Sequence, residues 1–138
     1  SSISYTGNNR THMIRVPDKG RFELRLMDGA ANPYLLQAGV IAAGLHGINN
    51  KIDPGEPLSC NMYTDYKNYP NLKKLPDIIE DALEQLENSR EIREAFGDET
   101  IKSYLKLKRS EIDNFDKEET FDKKSPVTSW EKNSTLDC

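Results

Sequence analysis

The chain has 138 residues with a formal net charge of −4, and 36% of its residues are hydrophobic. A mean hydropathy of −0.76 and the lack of a long apolar run argue against a membrane span within these residues. The acidic balance argues against general nucleic-acid binding, which needs a basic surface. The length suits one modest domain. Cys60 and Cys138 lack metal-binding or redox spacing, so we expect free thiols in a cytoplasmic protein.

Positive charge is concentrated in the stretch Asn9–Leu35, which holds four arginines and one glutamate. Charged and apolar residues alternate within it, so a strand would place Arg21, Glu23 and Arg25 on one face. The opposite face is apolar and is expected to pack on a core: Phe22, Leu24 and Leu26. The sequence therefore predicts an exposed row of charges on a half-buried strand.

Two short strands are predicted in this stretch, Thr11–Val16 and Arg21–Met27, with Pro17–Gly20 as a tight connection. Arg10 and Arg15 are an odd number of positions apart, so a regular strand would place them on opposite faces. We therefore place Arg10 in the turn before the first strand. The pattern is also typical of a plain hairpin without a chemical role.

Several arginines around one carboxylate suggest an anion-binding site. Exposed ion pairs contribute little stability, whereas guanidinium groups bind phosphate and carboxylate oxygens in two-pronged fashion. A carboxylate among them can bind Mg²⁺, which prefers oxygen ligands. The alternative is a solvated strand face whose charges merely pair with one another.

Four motifs follow one another in this region: Asn9-Arg10, Ile14-Arg15-Val16-Pro17, Arg21-x-Glu23-x-Arg25, and Asp28-x-x-x-Asn32-Pro33-Tyr34-Leu35. Together they resemble the C-terminal part of the catalytic domain of the glutamine synthetase family. The resemblance continues through Gly44–Lys51 and Asp53–Pro57 and, more loosely, over nearly the whole chain. The ending Thr135–Cys138 is similar to the branch labelled type III.

The resemblance implies an α+β fold, in which a short β-hairpin that belongs to a larger catalytic sheet is followed mainly by helices. Residues 1–138 would form the C-terminal portion of a catalytic domain, with active-site strands in 1–28 and a helical portion in 32–138. Because two or three strands do not make a self-sufficient sheet and the chain begins with Ser1, we expect a fragment of a longer protein.

The function implied is ATP-dependent formation of glutamine from glutamate and ammonia through a γ-glutamyl phosphate, with Mg²⁺ or Mn²⁺ as the metal. By matching motif, Arg25 would bind a carboxylate of glutamate and Glu23 would ligate the metal. Arg15 would contact the phosphates of ATP. Arg10 would contact the transferring phosphate and glutamate, so Arg10 and Arg15 are the catalytic candidates.

Two further residues are implied on the nucleotide side, Arg21 and, in the connection before the second strand, Lys19. One carboxylate cannot hold several divalent ions, so we expect the isolated chain to be inactive. The family resemblance also implies a large homo-oligomer of stacked rings, such as a dodecamer, without nucleic-acid or membrane partners.

Two alternatives remain. A sister ligase of the family would join glutamate to methylamine or to a polyamine and would share the arginine set. A non-enzymatic helical interaction domain could instead carry an arginine-rich strand by chance. Tyr63 is either an ordinary loop tyrosine or, by resemblance to some bacterial members, a site of adenylylation.

The remaining chain is predicted to be largely helical. Apolar residues surround the helix Asn32–Asn50, so we expect it to be buried on most sides. Further helices are predicted at Asp77–Glu87, from Ser89 to Phe96, at Glu99–Phe115, and from Thr128 with Trp130 as a packing anchor.

Three other features are weaker. Residues 57–75 are expected to be irregular, and Asp116–Lys124 is either a helix continuation or a loop. His12 lacks a partner at metal-ligand spacing and is expected to be structural.

Overall fold

The structure is a computed structural model that describes residues 2–27, 29–118 and 127–135. Its strands are β1 (Tyr5–Thr6), β2 (Ile14–Asp18) and β3 (Arg21–Leu24); its helices are α1 (Pro33–Asn49), α2 (Met62–Asp65), α3 (Ile79–Asn88), α4 (Arg90–Phe96), α5 (Asp98–Glu118) and α6 (Ser129–Thr135). The chain forms two compact units, the first comprising 1–28 with 47–84 and the second 29–46 with 85–138. The predicted α+β class, a hairpin followed mainly by helices, is confirmed.

The sheet has the order β1-β2-β3, with β1 parallel to β2 and β2 antiparallel to β3. Arg15 lies opposite Glu23, and the register shifts before the next pair, Asp18 with Arg21. Gly20 has φ 78° in the two-residue turn, a conformation that favours glycine. The predicted hairpin is confirmed, although β2 begins three residues later and β3 ends three residues earlier than expected.

The apolar face of β3 is more open than the sequence pattern predicts. Phe22 is 58% exposed, and Leu26, beyond the end of the strand, is also exposed. The buried apolar side chains of the first unit are instead Met62 and Leu83. The expectation that this strand face packs on a core is therefore wrong for Phe22 and Leu26 in the part of the chain described, whereas Leu24 is half-buried.

Helix α1 begins as predicted. The Asn32 Oδ1 accepts hydrogen bonds from the backbone N–H of Tyr34 at 3.0 Å and of Leu35 at 3.1 Å, which satisfies two free donors of the first turn. The expectation that α1 is buried on most sides is wrong within the described chain, because none of its residues is buried and Ile48 is 73% exposed. A helix that is apolar all round needs neighbours on several sides.

The boundary between α4 and α5 follows local signals. The Ser89 Oγ caps α4 by accepting from the Ile92 N–H at 3.3 Å, and Gly97 ends the helix with φ 81°. Helix α5 then begins at Asp98 itself and runs to Glu118, three residues beyond the predicted end. Of the charged connection Asp116–Lys124, the first three residues are thus helical, and the others lie outside the described residues.

The second unit contains the buried residues Ile101 and Leu105 of α5. Thr128 and Glu131 form a reciprocal cap at α6, in which the Thr128 N–H donates to the Glu131 carboxylate at 2.7 Å and the Glu131 N–H donates to the Thr128 Oγ at 3.1 Å. Trp130 packs edge-to-face on Phe115, with ring centroids 5.6 Å apart, which confirms its packing role. None of the described helices has the length and apolar character of a membrane span.

Besides the 3₁₀-helix Tyr66–Asn68, two elements were not predicted. Strand β1 has only two residues, too few for an alternation to be visible. Helix α2 interrupts the region 57–75 that was expected to be irregular, and its start is capped by Asn61, whose Oδ1 accepts from the Tyr63 N–H at 3.0 Å.

Candidate active site

The hairpin brings two arginines to one carboxylate. Arg15 on β2 is the register partner of Glu23 on β3, and its Nη1 donates to Glu23 Oε2 at 2.7 Å. Arg25 follows β3 on the same side of the strand, and its Nη1 donates to Glu23 Oε1. Glu23 is thus shared by two guanidinium groups, one on each oxygen.

The guanidinium of Arg15 is held from a second side. Asn8 Oδ1 accepts from its Nε at 3.0 Å and also from its Nη2. The side chain of Arg15 is only 12% exposed, whereas that of Glu23 is 39% exposed. Arg15 is therefore fixed in place, while the carboxylate that it orients remains accessible.

The two arginines keep Glu23 ionised. The hydrogen bond from Arg25, followed by that from Arg15, lowers the pKa of the Glu23 carboxyl below its ordinary value of 4.5. An ionised carboxylate is a hard oxygen ligand suited to Mg²⁺. However, the described residues contain no group of three or more His, Cys, Asp or Glu that could hold a metal, so Glu23 could supply only one ligand among several.

Arg10 lies in the turn before β2, as predicted, and shares a cleft of about 380 Å³ with Arg25. The cleft lies within the first unit. Its other lining residues are Ser2, Thr11, His12, Met13, Leu26, Met62, Tyr63, Tyr66, Lys74 and Asp77. Two of the predicted phosphate- or glutamate-binding residues thus meet at one cavity.

The turn that carries Arg10 is anchored through its neighbours. Asn9 Nδ2 donates to the Cys60 carbonyl at 2.9 Å, and the Met62 N–H donates to Thr11 Oγ1 at 2.9 Å. The turn is therefore tied to residues 60–62 while the Arg10 side chain is left exposed to the cleft.

His12 is structural, as expected. It is 3% exposed, and its Nε2 lies 2.9 Å from the Cys60 carbonyl oxygen. A carbonyl oxygen can only accept, so Nε2 carries the hydrogen, and Nδ1 lies 3.0 Å from the Ser4 hydroxyl. Both ring nitrogens are engaged in holding the same turn.

Lys19 and Arg21 lie apart from this group. Both are exposed at the hairpin turn, where Arg21 pairs in register with Asp18. Neither forms an ion pair among the described residues. Of the four arginines expected around Glu23, two, Arg15 and Arg25, therefore pair with it. Arg10 lines the neighbouring cleft, and Arg21 lies at the hairpin turn opposite Asp18.

Sequence reasoning missed three residues of this region. Asn8 directly precedes the motif Asn9-Arg10, and this position next to the motif could have indicated it as a site residue. Lys74 and Asp77 line the cleft from far along the chain, and no local pattern indicates them. Tyr63 also lines the cleft and is largely exposed, which does not decide between the two interpretations given for it.

Cys60, whose carbonyl anchors the turn that carries Arg10, has a free thiol. Its Sγ is 3.5 Å from the Met62 sulfur, and its hydrogen bond with Tyr69 raises the pKa of the Tyr69 hydroxyl. Cys138 lies outside the described residues.

Comparison with known proteins assigns the chain to a family. The family model described as glutamine synthetase, catalytic domain, matches residues 1–126. The chain belongs to the glutamine synthetase family. A glutamine synthetase of Rhizobium meliloti (strain 1021) is 48% identical over 137 residues, which are 99% of this chain and 30% of that protein.

A relative that carries the name of a different activity is also similar. A glutamate–methylamine ligase of Methyloversatilis universalis is 40% identical over 98% of this chain and 29% of its own length. The solved structure titled "GmaS/ADP complex-Conformation 1" superposes with a TM-score of 0.78 at 43% identity, over 99% of this chain and 30% of that one. The chain thus spans about 30% of the length of the relatives it matches.

Proposed function

We propose that this chain is the C-terminal part of the catalytic domain of an ATP-dependent glutamate ligase, here called the parent enzyme, that forms glutamine through γ-glutamyl phosphate. The observation that carries the proposal is the sharing of Glu23 by Arg15 and Arg25 beside a cleft that Arg10 also lines. The family to which the chain belongs supports it. In this assignment, residues 1–28 supply active-site strands and 32–138 the helical portion.

The reaction brings together two anions, the side-chain carboxylate of glutamate and the terminal phosphate of ATP. Cations placed in advance reduce their repulsion and stabilise the charge that spreads over the transferring phosphate. We assign Arg25 to a carboxylate of glutamate, Arg15 to the ATP phosphates, and Arg10 to the transferring phosphate with a contact to glutamate. Arg10 and Arg25 line one cleft, which is compatible with two anions held side by side.

The nucleotide side of the proposed site includes Arg21 and Lys19, two exposed cations at the hairpin turn. Neither side chain forms an ion pair among the described residues, and guanidinium and ammonium groups suit phosphate oxygens. The similar solved structure of the GmaS/ADP complex, 43% identical over 99% of this chain, supports a nucleotide as the ligand.

Glu23 is proposed to supply one carboxylate ligand to Mg²⁺ or Mn²⁺. Its lowered pKa and its 39% exposure suit that role, and the remaining ligands would come from other parts of the parent enzyme. Such an ion would shield the phosphate charges. Arg15 and Arg25 would meanwhile hold the carboxylate in its orientation.

The amine acceptor is the point on which a second function competes. The glutamate–methylamine ligase is 40% identical over nearly the whole chain, so a γ-glutamyl-methylamide or polyamine ligase would use the same arginine set. The test is to assay the purified parent enzyme with ATP, Mg²⁺ and glutamate and to follow ADP release with ammonia, methylamine or a polyamine. We expect ammonia to be preferred. Preference for an alkylamine would assign the sister activity, and the absence of glutamate-dependent ADP release with any amine would contradict both.

The isolated 138-residue chain is expected to form no amide, because one carboxylate cannot hold the metals of the reaction. Mass spectrometry of an incubation with ATP, glutamate and ammonia tests this. Glutamine formed by the purified chain would show that the site is complete without other segments. We further propose that the parent enzyme is a cytoplasmic homo-oligomer of stacked rings, such as a dodecamer, which light scattering would measure.

A further inference from the structure

The cleft between Arg10 and Arg25 carries a third cation that the family resemblance does not assign. Lys74 lines it from the segment that pairs with the beginning of the chain: Ser2 and Lys74 form an antiparallel bridge, and the Ile3 N–H donates to the Lys73 carbonyl at 2.8 Å. Backbone pairing thus fixes Lys74 beside the cleft.

The side chain of Lys74 is exposed and forms no ion pair within the described residues. Arg10 is likewise exposed and unpaired among them, whereas Arg25 is partly neutralised by Glu23. Asp77 is the acidic member of the lining set. Three cations and one acid therefore line the cleft, in a chain whose net charge is −4.

A local excess of positive charge in a concave site favours anions. The lining also includes Tyr63 and Tyr66, whose hydroxyl groups can donate hydrogen bonds to the same oxygens. A small molecule with carboxylate or phosphate groups suits this combination of charge, donors and volume.

We propose that Lys74 is a third anion-binding residue of this cleft and that, with Arg10 and Arg25, it contacts a carboxylate or phosphate of the substrate. The inference rests on the proposed function and adds a residue to its site. Lys74 follows Arg25 by 49 positions along the chain and is held beside the cleft by the pairing of its segment with Ser2 and Ile3.

The chain supplies a matched control. Lys73 adjoins Lys74, is also exposed, and is not among the lining residues of the cleft. Because successive side chains of an extended segment point in opposite directions, Lys73→Gln removes the same charge from the other side. Lys74→Arg keeps the charge and serves as a rescue variant.

The experiment measures binding of L-glutamate and of inorganic pyrophosphate to the 138-residue chain and its variants by isothermal titration calorimetry, with circular dichroism to check folding. We expect Lys74→Gln to weaken binding of one probe about threefold to tenfold, while Lys73→Gln changes it less than twofold and Lys74→Arg restores it. The probe affected identifies whether the group contacted is a carboxylate or a phosphate.

Three results would overturn the proposal. The first is an equal loss of binding in Lys73→Gln and Lys74→Gln, which would indicate a general effect of net charge. The others are unchanged binding in Lys74→Gln and no binding of either probe to the unmodified chain.

The same variants in the parent enzyme separate this inference from the ligase function. If Lys74→Gln leaves the KM values for glutamate and ATP unchanged in an active ligase, Lys74 is excluded and the function stands. If the chain binds an anion in a Lys74-dependent way but the parent enzyme has no ligase activity, the ligase function is excluded and the anion-binding role of Lys74 stands.

Discussion

Two glutamates of this protein are paired with arginine in different surroundings. Glu23, in the hairpin, is shared by Arg15 and Arg25. Glu87, in α3, meets Arg109 of α5, whose Nη2 and Nη1 donate to its two oxygens at 2.6 and 3.3 Å. In both cases the hydrogen bonds from arginine lower the pKa of the carboxyl.

The two sites differ in their balance of charge. Arg109 and Glu87 neutralise each other one to one, and the nearby Arg93 is paired with Asp98 at 2.5 Å. In the hairpin, cations outnumber acids, and Arg25 lines a cleft with Arg10, which forms no ion pair within the described part of the chain. An ion pair alone therefore does not indicate a site; an excess of oriented positive charge beside a cavity does.

Replacing each of the two carboxylates tests this comparison most directly. In the parent enzyme, Glu23→Gln should lower kcat/KM by about 10²–10³-fold, because it removes the proposed carboxylate ligand of the metal ion that shields the transferring phosphate. Glu87→Gln, the matched control, should stay within about twofold. Steady-state assays of ADP release measure both. Equal activity in the two variants would favour the interpretation of a non-enzymatic interaction domain.

Arginine substitutions sharpen the same contrast. Arg25→Gln should raise the KM for glutamate about 10–100-fold, more than it raises the KM for ATP, because a bidentate carboxylate contact is lost. Arg90→Gln removes a guanidinium from an exposed pair with Glu94 and should change neither constant. If the KM for ATP rises instead of that for glutamate, Arg25 belongs to the nucleotide side.

The free energy of unfolding should depend on buried residues outside the candidate site. Leu105 is buried in the second unit, so Leu105→Ala should lower the free energy of unfolding by about 2–5 kcal/mol. Ile48→Ala, at an exposed position of α1, should change it by less than about 0.5 kcal/mol. Urea denaturation of the 138-residue chain followed by circular dichroism compares them. A large loss in Ile48→Ala would mean that α1 is covered in solution.

The smallest expected effect is on titration. The carboxyls of Glu23 and Glu87 should both titrate below 4.5 by NMR, and Arg15→Gln or Arg25→Gln should raise the pKa of Glu23 alone, while Arg109→Gln raises that of Glu87 alone. A carboxyl whose pKa is lower in the folded state than in the unfolded state stabilises the fold at pH values above its unfolded pKa. This contribution is lost as the pH falls through the folded pKa. Glu23→Gln should therefore reduce the loss of stability on acidification below pH 4.5. A Glu23 pKa that is unchanged in both arginine variants would contradict the pairing.

Much of this fold could be predicted because its signals are local. The caps at Asn32, Ser89 and Thr128 and the alternation in β3 each depend on a few neighbouring residues. The pairing of Arg15 with Glu23 depends on the length of the turn at Gly20 and on the register shift between Arg15 and Asp18, which alternation alone does not reveal.

The cleft could not be predicted, because Lys74 and Asp77 line it from far along the chain, and the bridge between Lys74 and Ser2 is a contact between distant parts of the chain. The exposure of α1 was missed for a related reason. An apolar pattern indicates that a helix needs neighbours, but it does not indicate whether the same stretch of chain supplies them.

The most direct test is a crystal structure of the parent enzyme with a non-hydrolysable ATP analogue, Mg²⁺ and glutamate. The account predicts the Arg25 guanidinium about 2.7–3.0 Å from a glutamate carboxylate, Arg15 at the nucleotide phosphates, and an oxygen of Glu23 on the metal. Nucleotide and glutamate bound elsewhere, with Arg15 and Arg25 still engaged only by Glu23, would contradict it.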